Sequence, residues 1–235
     1  MTVLPQILHD TNDYFVVSKP AFWVVNDAAT AHGNQTVQNW ISNNFDFPLA
    51  HDTAHRNGIV HRLDKETSGV LLIAKTYQAF EDLQNQFLER TTSKVYKALV
   101  HGKLLGGGTV TMPIARSTKN RTKFGVSLIG REAETKFEVT HVYSKQKGDD
   151  YSELLLYPKT GRTHQIRVHM HYIHHPIVSD PLYLGKGLLL KDNEWCSRMF
   201  LHAFKLTFHD PSTRKEITVE APLPDDLAQA LRSMK

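Results

Sequence analysis

Residues 61–74 have the sequence HRLDKETSGVLLIA, in which a charged segment that ends in glycine leads directly into an apolar run. The apolar part, residues 70–74, is typical of a buried strand. The charged loop therefore lies at the end of a sheet, where clefts form, and in an extended loop Arg62 and Asp64 point the same way because they are two residues apart. A salt-bridged connection and a catalytic site are both compatible with this composition.

A second informative stretch is residues 160–169, TGRTHQIRVH. A glycine permits a turn, and Thr163 is predicted to cap a helix on which Arg167 and His171 share a face. The inward-facing positions of this helix are Ile166, Met170 and Ile173. Arg167 then emerges from a packed helix, and Asp64 is a candidate carboxylate partner for it.

The pattern of apolar residues predicts long runs of strands with few helices between them. Helices are expected after Thr36, over residues 77–90 and from Pro224 onward. Strands are expected over residues 70–74, 94–101, 132–143, 152–157, 200–209 and 216–221. This order favours an α+β fold, built on a mainly antiparallel mixed sheet with flanking helices, as one domain over residues 1–235.

Composition excludes several classes of protein. The chain has 235 residues with 40% hydrophobic content and no apolar run long enough to cross a bilayer, which predicts a soluble protein. A single cysteine, Cys196, excludes an internal disulfide framework, and residues 1–13 lack the features of a secretory signal. We therefore expect a cytoplasmic location and no membrane association.

Positive charge is concentrated in the middle of the chain. The formal net charge is only +4, but residues 1–60 have two Lys or Arg against five Asp or Glu, whereas residues 61–130 have eleven against five. The densest segment contributes four cations, Arg116, Lys119, Arg121 and Lys123. A solvated surface loop and a phosphate-binding flank both fit this segment.

Several motifs together resemble the RluA-type pseudouridine synthases, and the resemblance covers nearly the whole chain. The matching segments, in order, are residues 18–21 (SKPA), 57–69 (NGIVHRLDKETSG), 94–102 (KVYKALVHG), 160–169, 176–180 (PIVSD) and 201–203 (LHA). Ser18 stands where asparagine is usual in the family. The first four of these segments are the family's main motifs, and their order and spacing make coincidence improbable, so the resemblance implies a pseudouridine synthase fold with RNA-binding loops.

The resemblance also implies the chemistry. Uridine is isomerised to pseudouridine with no net gain or loss of atoms, so neither a redox cofactor nor a metal is expected. Asp64 matches the nucleophile, which attacks C1′ of the ribose or C6 of the base. Arg167 matches the arginine that keeps this carboxylate ionised and oriented, and Tyr96 matches a tyrosine that lies against the uracil as a base or a stacking wall.

The partner implied by the resemblance is a transfer RNA or ribosomal RNA stem-loop. The target uridine has to leave its stack, and Arg62 matches the side chain that helps to fill the vacated place. His61, Leu63 and Ile166 are expected to contact the substrate, and the four cations to hold the RNA backbone. The early position of residues 18–21 leaves no room for an extra N-terminal domain, residues 27–56 are expected to form a target-specific loop, and a monomer is expected.

Three other functions are compatible with parts of the sequence: a zinc site, an RNA-folding chaperone and a hydrolase. His171 and His175 have a spacing that can chelate zinc, but Pro176 ends the helix at once and no acidic residue completes a metalloprotease motif, so no metal is expected. A non-catalytic RNA-folding chaperone would use the same cleft. A hydrolase based on Asp64 and His61 lacks a second carboxylate or a serine at recognised spacing.

Overall fold

The computed structural model describes residues 3–26, 35–144 and 149–234. These residues fall into two compact units, one drawn from Met1–Lys94 and Ala203–Pro222, the other from Val95–His202 and Leu223–Lys235. The prediction of one catalytic domain over residues 1–235 stays a prediction. Across the described residues, every helix lacks the length and apolar character that a bilayer span requires.

The first unit is a sheet with helices packed on it. Its elements are β1 (Gln6–Asp10), β2 (Tyr14–Lys19), α1 (Val37–Asn44), a 3-10 turn (Arg56–Gly58), β3 (Ser68–Ala74), α2 (Tyr77–Glu89), most of β10 (Leu201–His209) and β11 (Glu216–Glu220). β2 pairs antiparallel with both β1 and β3, and β11 pairs antiparallel with β10. All seven residues of β3 are buried, which confirms the predicted buried strand.

Apolar packing holds α2 against this sheet. Phe80 and Leu83 of α2 share one buried cluster with Val16 of β2, Leu72 of β3 and Phe208 of β10. Each side chain of this size contributes about 1.5–3 kcal/mol when it is fully buried. Strand β3, which follows the charged loop, is therefore paired with β2 and packed against α2. The loop leads directly into this rigid strand.

The second unit has a sheet in the order β4-β9-β8-β5 and a separate two-stranded hairpin, β6-β7. Its elements are β4 (Ser93–His101, which starts in the first unit), β5 (Gly108–Thr111), β6 (Ile114–Arg116), β7 (Phe124–Val126), β8 (Glu134–Ser144), β9 (Asp150–Pro158), α3 (Gln165–Tyr172), α4 (Lys186–Asn193) and α5 (Asp225–Arg232). The β4-β9, β8-β9 and β5-β8 pairs are all antiparallel. This confirms the α+β class and the mainly antiparallel sheet.

Most of the predicted elements are confirmed. Thr36 caps α1 by accepting a hydrogen bond from the Asn39 N–H at 3.0 Å, as expected. The predicted helices over residues 77–90 and after Pro224, and all six predicted strands, are present within a few residues of their expected ends. The short strands β1, β5, β6 and β7, the strand β2 and the helix α4 were not predicted.

The prediction that Thr163 caps α3 is wrong. The helix begins after His164, which adopts a left-handed conformation with φ of 55° and makes no side-chain cap. The side chain of Gln165 binds the preceding loop instead. Its Oε1 accepts the Arg162 N–H at 3.0 Å, and its Nε2 donates to the Glu134 carbonyl at 3.0 Å. The loop before α3 is thereby bound to β8 rather than closed by a threonine hydroxyl.

Candidate active site

Asp64 lies in the loop of residues 61–67, which runs into β3 and is called the Asp64 loop below. The Thr67 N–H donates to the Asp64 carbonyl at 3.1 Å and closes a turn. Asp64 is half-buried and Arg62 is exposed, whereas Leu63 between them is 5% exposed. This alternation fits the expectation that Arg62 and Asp64 point the same way. Leu63, expected to contact the substrate, is buried between them, and its contact with substrate stays a prediction.

Gly69 at the start of β3 has no room for a side chain. Its φ is +120°, and a Cβ there would lie 2.1 Å from the carbonyl oxygen of Ala203. Only glycine allows β10 to approach the end of the Asp64 loop this closely. The close approach of β10 therefore explains why a glycine stands at position 69.

Lys19 anchors the Asp64 loop from β2, a role that the sequence analysis did not assign. Its ammonium group is fully buried and donates to the carbonyls of Pro20 at 2.8 Å, Trp23 at 2.9 Å and Lys65 at 3.3 Å. A buried cation needs such partners, since its desolvation is otherwise costly. The signal for this role was a lysine placed directly after an apolar strand and before a proline.

His61 is half-buried and is held within the first unit by two contacts. Its ring stacks on Phe87 with centroids 4.5 Å apart, and its Nε2 accepts the Leu72 N–H at 3.0 Å. Burial, together with the nearby charge of Lys94, lowers the pKa of His61 to about 3. Because the Nε2 lone pair is already used, His61 is a poor general base, and the hydrolase hypothesis loses its second residue.

The low pKa of His61 predicts an acid-sensitive contribution to stability. Between pH 6.5 and about 3 the unfolded chain binds a proton here that the folded protein does not, so stability falls as pH falls through this window. The slope from one such proton is about 1.4 kcal/mol per pH unit. Replacing His61 by Gln keeps an acceptor for Leu72 and removes the titration.

We therefore expect urea unfolding of His61→Gln at pH 4, 5 and 6 to show a shallower loss of stability than the wild type. His51→Gln, at an exposed histidine, is the control and should leave the slope unchanged. Equal slopes in the wild type and in His61→Gln would contradict the buried neutral histidine.

Arg167, on α3 of the second unit, is 1% exposed. Its Nε and Nη2 donate to the two carboxylate oxygens of Asp180, both at 2.8 Å. The prediction of an arginine that emerges from its helix is therefore wrong, because the turn that begins at Asp180 covers this part of α3. His171, one turn later on the same face, is exposed. The sequence offered a signal for this partner, since an Asp followed by Pro marks a turn.

Two other predicted site residues lie on the second unit's core. Ile166 is 6% exposed and packs with Ala98 of β4 and Leu156 of β9, and its contact with substrate stays a prediction. Tyr96 on β4 is half-buried, pairs across the sheet with Leu156 and borders the same cluster. Asp64 belongs to the first unit, and Tyr96 and Arg167 belong to the second.

The four predicted phosphate-binding cations lie in the β6-β7 hairpin, residues 114–126, called the basic hairpin below. Arg116 stacks over the Phe124 ring at 4.9 Å and donates to the Arg121 carbonyl at 2.8 Å, while Lys119 and Arg121 are exposed. The Lys123 ammonium lies 5.9 Å from the Tyr183 ring centroid. The segment is thus an ordered hairpin with outward cations.

Tyr183 joins the basic hairpin to Arg167. Its hydroxyl accepts the Phe124 N–H at 3.0 Å and contacts His164 Nδ1 at 3.1 Å. The Arg167 guanidinium carbon lies 5.3 Å from the centre of its ring, and the Tyr183 N–H donates to Asp180 at 3.2 Å. Sequence patterns did not indicate this residue, because its side chain contacts Phe124, His164 and Arg167, which are at least 16 positions away in the chain.

The crowded histidines have structural partners. His169 is buried and its Nε2 is hydrogen-bonded to the Met112 carbonyl at 2.9 Å, and His175 Nδ1 is hydrogen-bonded to the His101 carbonyl at 2.8 Å. The part of the chain that the structure describes contains no group of three or more His, Cys, Asp or Glu placed to hold a metal ion. Burial raises the pKa of Cys196 to about 11, which makes it unreactive as a nucleophile.

The predicted target-specific segment, residues 27–56, is described only in part. Residues 27–34, with His32, lie outside the described residues. The described part of the segment is held by Asn57, which directly follows it. The Asn57 side chain is hydrogen-bonded to Gln38 at 2.8 Å and to Ser42 at 2.7 Å, and these bonds hold α1 against the turn before the Asp64 loop.

An α+β fold with a half-buried carboxylate on an anchored loop, a buried arginine and a basic hairpin is suited to an enzyme that acts on a polyanion. A profile of the family described as RNA pseudouridylate synthase matches residues 13–172. The chain is 35% identical to ribosomal large subunit pseudouridine synthase D of Vibrio cholerae, over 97% of this chain and 70% of that protein. It is 37% identical to the uncharacterised RNA pseudouridine synthase YlyB of Bacillus subtilis, over 97% of this chain and 72% of that protein.

Among solved structures, human RNA pseudouridylate synthase domain containing 1 aligns with a TM-score of 0.74 and 29% identity, over 94% of this chain and 84% of that one. The chain therefore belongs to the RNA pseudouridylate synthase family and is an RNA pseudouridine synthase, an isomerase.

Proposed function

We propose that the chain isomerises specific uridines in structured RNA with Asp64 as the nucleophile. The observation that carries this proposal is the Asp64 loop itself. The buried Lys19 ammonium holds the loop at the Lys65 carbonyl and the fully buried strand β3 continues from its last residue, while Asp64 remains half-buried and Arg62 exposed. Catalytic groups need this combination of a fixed backbone and access to substrate.

In the proposed reaction the bond between ribose C1′ and uracil N1 breaks, the base turns, and a bond forms between C1′ and C5. The C5 proton leaves and N1 gains a proton, so the atoms balance without a co-reactant. Asp64 attacks C1′ or C6 to allow the base to detach. From the family resemblance we propose that Arg167 orients Asp64, and that Tyr96 contacts the uracil as base or stacking wall.

Access to the uridine requires that it leaves the RNA stack, at a cost of a few kcal/mol. We propose that Arg62, as the exposed cation two residues from Asp64, fills the vacated place. His61 holds the loop through Leu72, and the basic hairpin binds the RNA backbone. A monomeric state and a cytoplasmic location stay predictions.

The target class is proposed from the relatives' names. Several relatives, from Vibrio, Neisseria and Xylella, are named ribosomal large subunit pseudouridine synthases. Large-subunit ribosomal RNA is therefore the first target to test, with transfer RNA as the second.

A carbodiimide map of total RNA from cells with and without this gene tests the proposal. We expect at least one pseudouridine in ribosomal or transfer RNA to disappear when the gene is deleted and to return when the wild-type gene is supplied. Identical maps would contradict the proposed activity on these RNAs.

The basic hairpin predicts a strong salt dependence of RNA binding. With Arg116, Lys119, Arg121 and Lys123 all changed to Ala, we expect weaker binding and a slope of log Kd against log salt that is smaller by roughly 0.7–0.9 for each cation that had neutralised a phosphate. Fluorescence anisotropy at four salt concentrations measures both quantities.

The matched control removes four exposed cations elsewhere, namely Lys186, Lys191, Lys215 and Arg232. This control should bind with nearly the wild-type slope. If both quadruple variants change the slope equally, the hairpin has no specific role and its cations are ordinary surface charge.

A further inference from the structure

Phe22 has a backbone conformation that is unfavourable for its residue type. Its φ is +68°, in the left-handed region that bulky L-residues rarely adopt because Cβ crowds the following carbonyl. The surrounding hydrogen bonds hold it there. The Phe22 N–H donates to the Lys65 carbonyl at 2.7 Å, and the Lys19 ammonium binds the carbonyls of Lys65 and Trp23.

The ring of Phe22 does not compensate for this strain by packing. Phe22 is 55% exposed, whereas the adjacent Trp23 is 6% exposed and donates its indole N–H to the Val3 carbonyl at 3.0 Å. A glycine would adopt the same backbone conformation without strain. A strained backbone that presents an exposed ring is a feature that stability does not explain, and such outliers cluster at functional sites.

The position of Phe22 indicates which function the ring serves. Its amide is hydrogen-bonded to Lys65, the residue directly after Asp64, so the exposed ring stands beside the Asp64 loop within the same unit. Arg62 is the exposed cation of the same loop, three residues before Lys65. Unstacked bases bind to surfaces that combine aromatic rings with cations, because every base has a π face.

We propose that the Phe22 ring is a stacking platform for an unpaired nucleobase adjacent to the target uridine. The proposal rests on the proposed function, since extrusion of the uridine leaves a neighbouring base without its stacking partner. The platform is held by Lys19 and Lys65 at a fixed position relative to Asp64, so it orients the RNA strand as well as binding it.

Phe22→Gly separates this role from a structural one because the two roles predict opposite signs. Removal of the left-handed phenylalanine relieves strain, so we expect the thermal midpoint to stay the same or to rise by about 2–4 °C. Loss of the ring should weaken binding of a fluorescein-labelled twelve-residue oligouridylate by about 5- to 100-fold. A lower thermal midpoint would show that the ring serves packing and would overturn the proposal.

Further variants test the aromatic face. Phe22→Trp should keep the affinity for oligouridylate, with fluorescence quenching on binding beyond that of the wild type, whereas Phe22→Leu should lose affinity like Phe22→Gly. Leu88→Ala, at a 79% exposed apolar residue on α2, is the control and should bind as the wild type does. Wild-type affinity in Phe22→Leu or Phe22→Gly would overturn the proposal.

The same proteins are assayed for pseudouridine formation in ribosomal RNA. An active wild type with an unaffected Phe22→Gly would refute the stacking platform alone and leave the proposed function intact. An inactive wild type would instead count against the proposed function, while the oligouridylate affinities would still decide the role of the ring.

Discussion

Asp64→Asn is expected to abolish pseudouridine formation, with a loss of at least about a thousandfold in turnover. Asparagine has nearly the size of aspartate and keeps hydrogen-bonding groups, but it has no carboxylate to attack C1′ or C6. Asp64 is half-buried in a loop whose backbone is held by Thr67 and by the buried Lys19, so the change should leave the loop in place.

The measurement is the pseudouridine to uridine ratio of digested ribosomal RNA after incubation with each purified protein. Glu81→Gln, at an exposed carboxylate on α2, is the matched control and should be fully active. The thermal midpoint and RNA affinity of Asp64→Asn should equal those of the wild type. This result also separates the enzyme from an RNA-folding chaperone, for which Asp64 would be dispensable.

Asp180→Ala is expected to cause the largest loss of stability, about 3–5 kcal/mol. Both side chains of the Arg167–Asp180 pair are fully buried, and the alanine removes two hydrogen bonds from a guanidinium group that stays charged. Asp180 also accepts the Leu182 and Tyr183 N–H groups, so its turn loses its closing contacts as well. A loss of this size is a large part of the total stability of a typical domain, about 5–15 kcal/mol.

Urea unfolding of the wild type, Asp180→Ala and the double variant Arg167→Met with Asp180→Leu measures this effect. The double variant should recover part of the loss, because apolar side chains replace a buried ion pair with little or no cost. It should nevertheless stay inactive if Arg167 serves Asp64 as proposed. A loss below about 1 kcal/mol in Asp180→Ala would contradict the importance of the buried pair.

The sequence predicted the elements with strong periodicity and missed those determined by remote contacts. Strand β3 and helix α2 have long apolar patterns and were found, whereas β6 and β7 have three residues each, too few for any periodic signal. The Thr163 cap failed because Gln165 binds the preceding loop through β8, which local sequence does not show.

The candidate site likewise contains residues that were named from the sequence and residues that only the structure identified. Asp64, Arg62, Tyr96 and Arg167 were named through the resemblance, and the exposure of Arg62 beside a half-buried Asp64 agrees with their proposed roles. Lys19, Asp180 and Tyr183, which hold the loop and the arginine, were not named from the sequence; local signals existed for Lys19 and Asp180, but their partners are set by the fold. Leu63 and Ile166, which were assigned to substrate, are both buried, and their contacts with substrate stay predictions.

Tritium release from ribosomal RNA that contains uridine labelled at C5 tests the central claim most directly, because each isomerisation frees the C5 hydrogen. The account predicts release by the wild type in proportion to the pseudouridine formed, and none above background by Asp64→Asn. Sustained release by Asp64→Asn at a rate near that of the wild type would contradict Asp64 as the nucleophile.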